Sequence, residues 1–294
     1  MTRQQRRNLL KGLAFLSPWL VGFCLFMLGP IVLSAWYSLC EYSMLQEPLY
    51  IGLENYRELW ADPLFTKSLT NTLVFAAMAL PATMLISLGL ALLLNVPSRA
   101  QSYYRTVIFL PSLVPVVASA IVWLGLFDAK RGLLNQGLEL IGLTGPNWLR
   151  DPSWAMPALV FMSLWGVGHT VVIYLAGLQD VPTELYEAAE VDGAGWWSRL
   201  WNVTLPMISP VIFFNLVMAM IRVLQVFTIP YIMTPQGGPG RSTYFYTMYL
   251  YDNAFIYLRM GYASAMAWIL LIIILLLTGL AFWSSRRWVH YRSQ

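Results

Sequence analysis

The stretch YEAAEVDGAGWWSRLWNVTLPMISP, residues 186–210, interrupts an otherwise oily chain. Glu187, Glu190, Asp192 and Gly193 crowd together in it, and long apolar runs stand on both sides. A plain connector needs neither that length nor that composition. Local chemistry predicts two short helices. Pro182 and Thr183 lead into ELYEAAEV, with Thr183 as the candidate N-cap. Tyr186 stands where a capping box would carry Glu or Gln, so the box is incomplete. Glu184 and Glu187 sit near the positive end of that helix, which favours them. Ala188 and Ala189 form helix readily and have so little bulk that their face can lie close to another surface. Gly193 and Gly195 can turn the chain. WWSRLWNV then offers a second helix with Trp197, Leu200 and Trp201 on one apolar side. Leu205 and Pro206 lead into the next apolar run. The expectation is a helix–turn–helix shaped for docking.

Composition supplies the setting. Of 294 residues, 58% are hydrophobic and only 11% charged, against about 25% charged in an ordinary soluble domain. This deficit argues for a membrane protein, and 13 Trp with 16 Tyr suit repeated membrane–water interfaces. The net charge of +4 comes from scattered basic residues, which argues against nucleic-acid binding. Cys24 and Cys40 show no metal spacing and read as small unpaired hydrophobes.

A membrane-spanning helix needs about 20 mostly apolar residues. Six stretches qualify: about 12–37, 69–95, 106–127, 154–179, 207–232 and 261–284. The third is interrupted by Pro111 and Pro115. The first is about twice the length of a signal-peptide h-region and lacks a clean small-x-small cleavage site, so it reads as a retained span. The fold expected is all-α and polytopic, a single membrane domain over 1–294. Basic residues crowd the helix ends on one side: Arg3, Arg6, Arg7, Lys11, Arg99, Arg105, Arg199, Arg286, Arg287 and Arg292. On the other side Arg57, Lys67, Lys130, Arg131, Arg150, Arg241 and Arg259 are spread over longer loops. The bias gives both termini inside. Residues 180–206 then form an inner loop with five acids against one Arg199. The patterns GxxxxGK[S/T], HExxH and GxSxG are absent, so no ATPase or hydrolase machinery is encoded in these residues.

At this loop the sequence resembles a family. EAAxxDGAxxxxxLWxVxLPxxxP is similar to the EAA loop of binding-protein-dependent ABC importer permeases, matched by Glu187, Ala188, Ala189, Asp192, Gly193, Ala194, Leu205, Pro206 and Pro210. NTLVF (71–75), YRTVIFLPSLVP (104–115), GLLNQGL (132–138), GGP (237–239) and MGYASAMAWIL (260–270) extend the likeness to the carbohydrate-uptake branch, the sugar and glycerol-phosphate permeases. Two departures are Thr228, where the branch commonly has an acid, and Leu200, where it has an aromatic. The resemblance implies a bacterial or archaeal cytoplasmic (inner) membrane. It implies one half of a pore, paired with a second and usually different permease subunit. Two ATPase subunits, carrying the ATP and Mg, and an extracytoplasmic substrate-binding protein complete the assembly; this chain itself holds no cofactor. The loop 180–206 becomes the cytoplasmic coupling helix between the fourth and fifth spans, and ATP-driven closure levers the spans between inward- and outward-facing states. Glu187 is the acid expected to meet the partner, and Asp192 the one expected to cap the turn internally.

Ionisable groups inside spans are costly and point to function. Arg222 lies in the fifth span and His169 in the fourth, with Gln225 and Trp165 about one turn from each on a shared helix face. Aromatic rings beside hydrogen-bonding groups suit a sugar, and similar permeases build substrate sites from these two helices. Trp165, His169, Arg222 and Gln225 are therefore the candidate substrate pathway. Arg222 also raises a phosphorylated polyol as substrate. Asn71 and Asn215 read as helix–helix hydrogen bonds. A secondary carrier or channel is the competing class; it would need no acidic docking loop and would place acids at mid-span, where none lies.

Overall fold

The computed structural model describes residues 2–290; Arg292 lies outside them. The chain divides into two compact units, one of residues up to Asp62 with Leu250–Ile272, the other of Pro63–Tyr249 with residues from Ile273 onward.

In the first unit, α1 (Arg3–Phe23) starts well before the apolar run, because Thr2 builds a capping box with Gln5. The helix passes through a π turn at Cys24–Leu28 into α2 (Gly29–Tyr37). Pro30, just beyond, has no N–H for the ordinary ladder, and widened turns are a common relief for that loss. Large apolar side chains point outward along this rod, Phe15 and Phe26 among the most exposed. A two-residue antiparallel pair follows, β1 (Cys40–Glu41) with β2 (Leu49–Tyr50), and then α3 (Glu54–Ala61). Asn55, buried at the start of α3, donates to the carbonyls of Ser38 and Cys40 at 2.9 Å each. Glu58 pairs with Arg259, whose guanidinium lies 4.3 Å over the Tyr262 ring, and the Tyr262 hydroxyl donates to Asp62 at 2.6 Å.

The same unit explains the MGYASA stretch. Gly261 donates to the Tyr42 carbonyl at 3.1 Å, and a Cβ there would stand 2.0 Å from the Cys40 carbonyl oxygen. Only glycine permits this approach. Gly261→Ala is expected to cost about 1–3 kcal/mol by overpacking, read as a fall in melting temperature in detergent, whereas Ala263→Gly, two residues on in the same helix, introduces no such clash.

The second unit is built on α4 (Pro63–Asn95), against which the later helices pack. It continues through α5 (Gln101–Phe109), α6 (Val116–Leu126), α7 (Leu133–Leu140), α8 (Pro152–Trp165), α9 (Gly168–Gln179), α10 (Thr183–Val191), α11 (Trp196–Arg199), α12 (Leu205–Met207), α13 (Ser209–Leu224), α14 (Thr228–Met233) and the start of α15 (Tyr246–Tyr251), and takes in the end of α16 (Met260–Ser285). Among the described residues, four helical stretches are long and apolar enough to cross a membrane, and two bent pairs raise this to six. Six is the number expected from the sequence if each bent pair is one span, and the first bend falls in the stretch that Pro111 and Pro115 interrupt. Between α5 and α6 the axis turns by 98°. Pro115 lacks an N–H, and Val114 before it is forced extended (ψ 130°), so the helix stops there. Between α8 and α9 the turn is 51°, at the weak helix formers Gly166 and Gly168. The fifth stretch breaks at Gln225–Phe227. Pro230 offers no N–H to the Val226 carbonyl, which accepts instead from the Thr247 hydroxyl.

Asn71 does not join two helices. Its Nδ2 donates to the carbonyls of Arg241 and Tyr244, at 2.8 and 3.0 Å, and so holds the GGP loop onto α4. Asn215 is buried on α13, and its Nδ2 meets no acceptor among the described residues.

Candidate functional site

The acidic stretch folds as two helical pieces tied back to the core of the second unit. Pro182 (φ −58°, ψ 134°) takes the N-cap position of α10, and Thr183 is already helical, with no side-chain cap. The expected Thr183 cap is therefore wrong. A proline loses nothing there, since its missing N–H precedes the first helical bond and its fixed φ suits the entry. The far end closes through backbone geometry: Gly193 (φ +77°) donates to Glu190 O at 3.0 Å, and Ala194 to Ala189 O at 2.8 Å. This is the six-to-one and five-to-two pairing of a Schellman end, which glycine serves because it enters the left-handed region freely. Asp192 stands at the C-cap, and its carboxylate makes no hydrogen bond among the described residues. The internal turn cap expected of it is supplied by Gly193.

Three links hold the two pieces together. The Tyr186 hydroxyl and Thr204 Oγ1 lie 3.1 Å apart, and Glu190 pairs with Arg199 at 3.4 Å. More important is apolar packing. Tyr186, Val203, Leu205 and Met207 rest against a buried cluster that includes Ala91, Leu94, Val171, Tyr174, Leu178 and Ile208. The exposed ion pair contributes at most about 1 kcal/mol, so the packing decides where α10 sits. Its outward side carries Glu187 and Ala188, exposed, with Ala189 half-buried. Glu187 makes no ion pair or hydrogen bond among the described residues. Leu205 and Pro206 are half-buried, Leu205 against the core cluster.

The second piece departs from a regular helix. α11 is one turn long and passes into a π turn at Leu200–Thr204. The wider turn breaks the shared apolar side expected for Trp197, Leu200 and Trp201. Leu200 turns into a groove with Leu92 and Leu178, while Trp197 (67%) and Trp201 (64%) stay exposed.

At the level of the spans, His169 and Arg222 come together in a recess of about 390 Å³, with Thr83, Ser163 and Thr170 adding hydroxyls. Gly168 makes this possible, since a Cβ there would lie 2.8 Å from the Ile108 carbonyl oxygen. The start of α9 therefore presses onto α5, and the His169 ring meets Phe109 edge-on at 5.1 Å. Arg222 lies in the last turn of α13, about 20 Å along it at 1.5 Å per residue. It makes no ion pair or side-chain hydrogen bond among the described residues. Trp165 and Gln225 do not line the recess. Trp165 ends α8 before the 51° bend and packs on Trp123 at 6.2 Å, so it shares no helix face with His169. Gln225 sits at the C-cap where α13 stops. Tyr186, the anchor of α10, has a signal in the sequence: it is a bulky aromatic at the place of a capping-box acid. The hydroxyls of Thr83, Ser163 and Thr170 have none, because each also reads as an ordinary small residue within a span.

Residues 83–290 match the family described as binding-protein-dependent transport system inner membrane component. The chain belongs to this family of ABC importer permeases. The permease is 38% identical over 297 residues to "Probable ABC transporter permease protein YesP" of Bacillus subtilis (strain 168), across all of this chain and 96% of that protein. It is 34% identical over 283 residues to "Lactose transport system permease protein LacF" of Rhizobium radiobacter, 94% of each being covered. Among solved structures, it matches a chain of a bacterial alginate ABC transporter in complex with alginate pentasaccharide-bound periplasmic protein, with a TM-score of 0.85, 25% identity and 96% of each chain covered. The permease thus falls in the carbohydrate-uptake branch.

Proposed function

We propose that this permease imports a sugar or oligosaccharide by alternating access, driven by a separate ATPase seated on α10. The observation that carries the reading is the two-sidedness of α10. Its outward face offers Glu187 and Ala188 without internal partners, while Tyr186 on its other side is built into the core of α4 and α9. A push on the outer face therefore reaches the spans through packed side chains rather than through a loose loop. In this reading the whole chain is one permease domain with both termini in the cytoplasm of a bacterial cell, and α10 is the coupling helix. Two ATPase subunits hold the ATP and Mg. A second permease subunit of different sequence completes the pore, and an extracytoplasmic binding protein delivers the substrate.

The recess with His169 and Arg222 is the substrate pathway in this reading. Unpaired Arg222 favours a second version, an anionic cargo such as a phosphorylated polyol or an acidic oligosaccharide, and the alginate imported by a structural relative is an acidic polysaccharide. Affinity purification of the tagged permease from its native membrane tests the main reading. An ATPase should co-purify in stoichiometric amount, and hydrolysis in proteoliposomes should rise with ligand-loaded binding protein. Absence of any ATPase partner would sink it. Stimulation by phosphate esters and not by neutral oligosaccharides would select the anionic version.

A further inference from the structure

Between the end of α4 and α11 the second unit opens a groove of about 810 Å³. α4 contributes its last two turns, from Gly89 to Asn95, roughly 9 Å of helix at 1.5 Å per residue. Tyr186 of α10, with Trp196, Arg199 and Leu200, completes the wall. The groove shares no lining residue with the recess around His169 and Arg222.

The sequence makes this groove apolar. The run GLALLLN at 89–95 supplies hydrocarbon, and Gly89 leaves a gap in it, since a Cβ there would meet nothing within 4 Å. From the other wall the π turn at Leu200–Thr204 brings Leu200 inward; such widened turns are frequent at functional sites. The two hydroxyls that reach the groove, of Tyr186 and Thr204, lie 3.1 Å apart and satisfy each other. Apart from Asn95 at the helix end, the polar character of the lining rests on Arg199. One nitrogen of its guanidinium reaches Glu190 at 3.4 Å, and its other N–H groups meet no side-chain acceptor among the described residues. Arg99, exposed beyond the end of α4, adds a second cation and makes no ion pair among the described residues. Three exposed indoles, Trp196, Trp197 and Trp201, belong to the same segment as Arg199, and rings of this kind settle at headgroup level.

We propose that this groove holds an anionic phospholipid of the cytoplasmic leaflet, with an acyl chain along the end of α4 and its phosphate on Arg199. The inference rests on the reading above, that α10 is the cytoplasmic coupling helix. Three observations select a lipid. α4 is long and apolar enough to cross a membrane, so a hydrocarbon groove at its end opens at bilayer level. A cation with free donors beside that hydrocarbon matches a phosphate, and basic pockets between spans on the cytoplasmic side suit anionic head groups. The groove also lies on the Tyr186 side of α10, whereas Glu187 and Ala188 face outward, where a motor would sit. Tyr186 and Leu200 belong to the joint between α10 and the spans. A chain packed on both of them stiffens that joint, so coupling becomes dependent on lipid.

The test places the complete transporter, with its ATPase and ligand-loaded binding protein, in nanodiscs of phosphatidylcholine with increasing phosphatidylglycerol. Stimulated hydrolysis by the wild type should rise with the phosphatidylglycerol fraction, and native mass spectrometry should find that lipid retained on the permease. Arg199→Gln should need about fivefold more phosphatidylglycerol for half the effect, as expected for one cation at a head group. Glu190→Gln is the control: it breaks the same ion pair and keeps the cation, so its requirement should not rise. Gly89→Leu fills the groove and should abolish both retention and the lipid response. Equal shifts in Arg199→Gln and Glu190→Gln would reduce Arg199 to a structural ion pair and overturn the proposal. So would full replacement of phosphatidylglycerol by inorganic phosphate in plain phosphatidylcholine discs. Loss of the second permease subunit from Gly89→Leu, with lipid retention unchanged in Arg199→Gln, would make the groove a subunit contact and overturn it as well. A wild type that retains the lipid yet shows no hydrolysis response to any binding protein defeats the importer reading and upholds the lipid site.

Discussion

Gly193→Pro is expected to lower substrate-stimulated ATP hydrolysis and uptake at least a hundredfold, with the chain still inserted in the membrane. Proline fixes φ near −65°, against +77° in the structure, and deletes the N–H that donates to Glu190. The left-handed residue that ends α10 cannot form, and the segment from Ala194 onward must leave by another route. The spans are untouched, because a side chain at Gly193 meets nothing within 4 Å. Gly193→Asn is the control: asparagine tolerates the left-handed region and should retain most activity. Glu187→Lys separates docking from folding. Its carboxylate has no partner within the described chain, so melting should not change, while ATPase stimulation falls if that face meets the motor. Normal transport by Gly193→Pro with the ATPase still bound would defeat the coupling reading.

Arg222→Ala should reduce uptake about tenfold to a hundredfold, as expected when a charged hydrogen-bond donor worth about 1.5–3 kcal/mol is lost. Assembly with the ATPase and basal hydrolysis should persist, since Arg222 makes no ion pair or side-chain hydrogen bond among the described residues. Two further variants decide what Arg222 recognises. Arg222→Gln keeps donors without charge and should preserve transport of a neutral sugar. Arg222→Lys keeps charge without the planar fork and should preserve more transport of an anion. His169→Ala should have a smaller effect, because the His169 ring also packs on Phe109. A wild-type rate from Arg222→Ala would remove the recess from the substrate route.

The membrane class, the positions of the apolar stretches and the α10 segment were legible in the sequence. Apolar length and charge deficit report how much chain prefers lipid, and the EAA pattern lies in one uninterrupted run. Direction was not legible. Hydropathy gives the same value to a straight helix and to one bent by 98°, although Pro111 and Pro115 marked the place. The pairing of Trp165 with His169 failed for that reason: helical spacing assumes an unbroken axis, and Gly166 and Gly168 break it. Thr183 was misplaced as a cap because an N-cap side chain competes with proline for the same position, and the proline came first. Asn71 was read as a bridge between helices, whereas it holds a loop that is 170 residues away in sequence. Contacts at that separation leave no local trace.

The surface of α10 has a consequence for how such importers diversify. Glu187 and Ala188 face outward and support nothing inside the permease, whereas Tyr186 supports the core and does not face outward. The two duties fall on neighbouring residues with almost no overlap. On the reading proposed above, substitutions on the outer face follow changes in a motor without disturbing the pore, and changes around Arg222 follow a new cargo without disturbing the motor. On that reading, a lineage with this arrangement is free to exchange engines and cargoes independently.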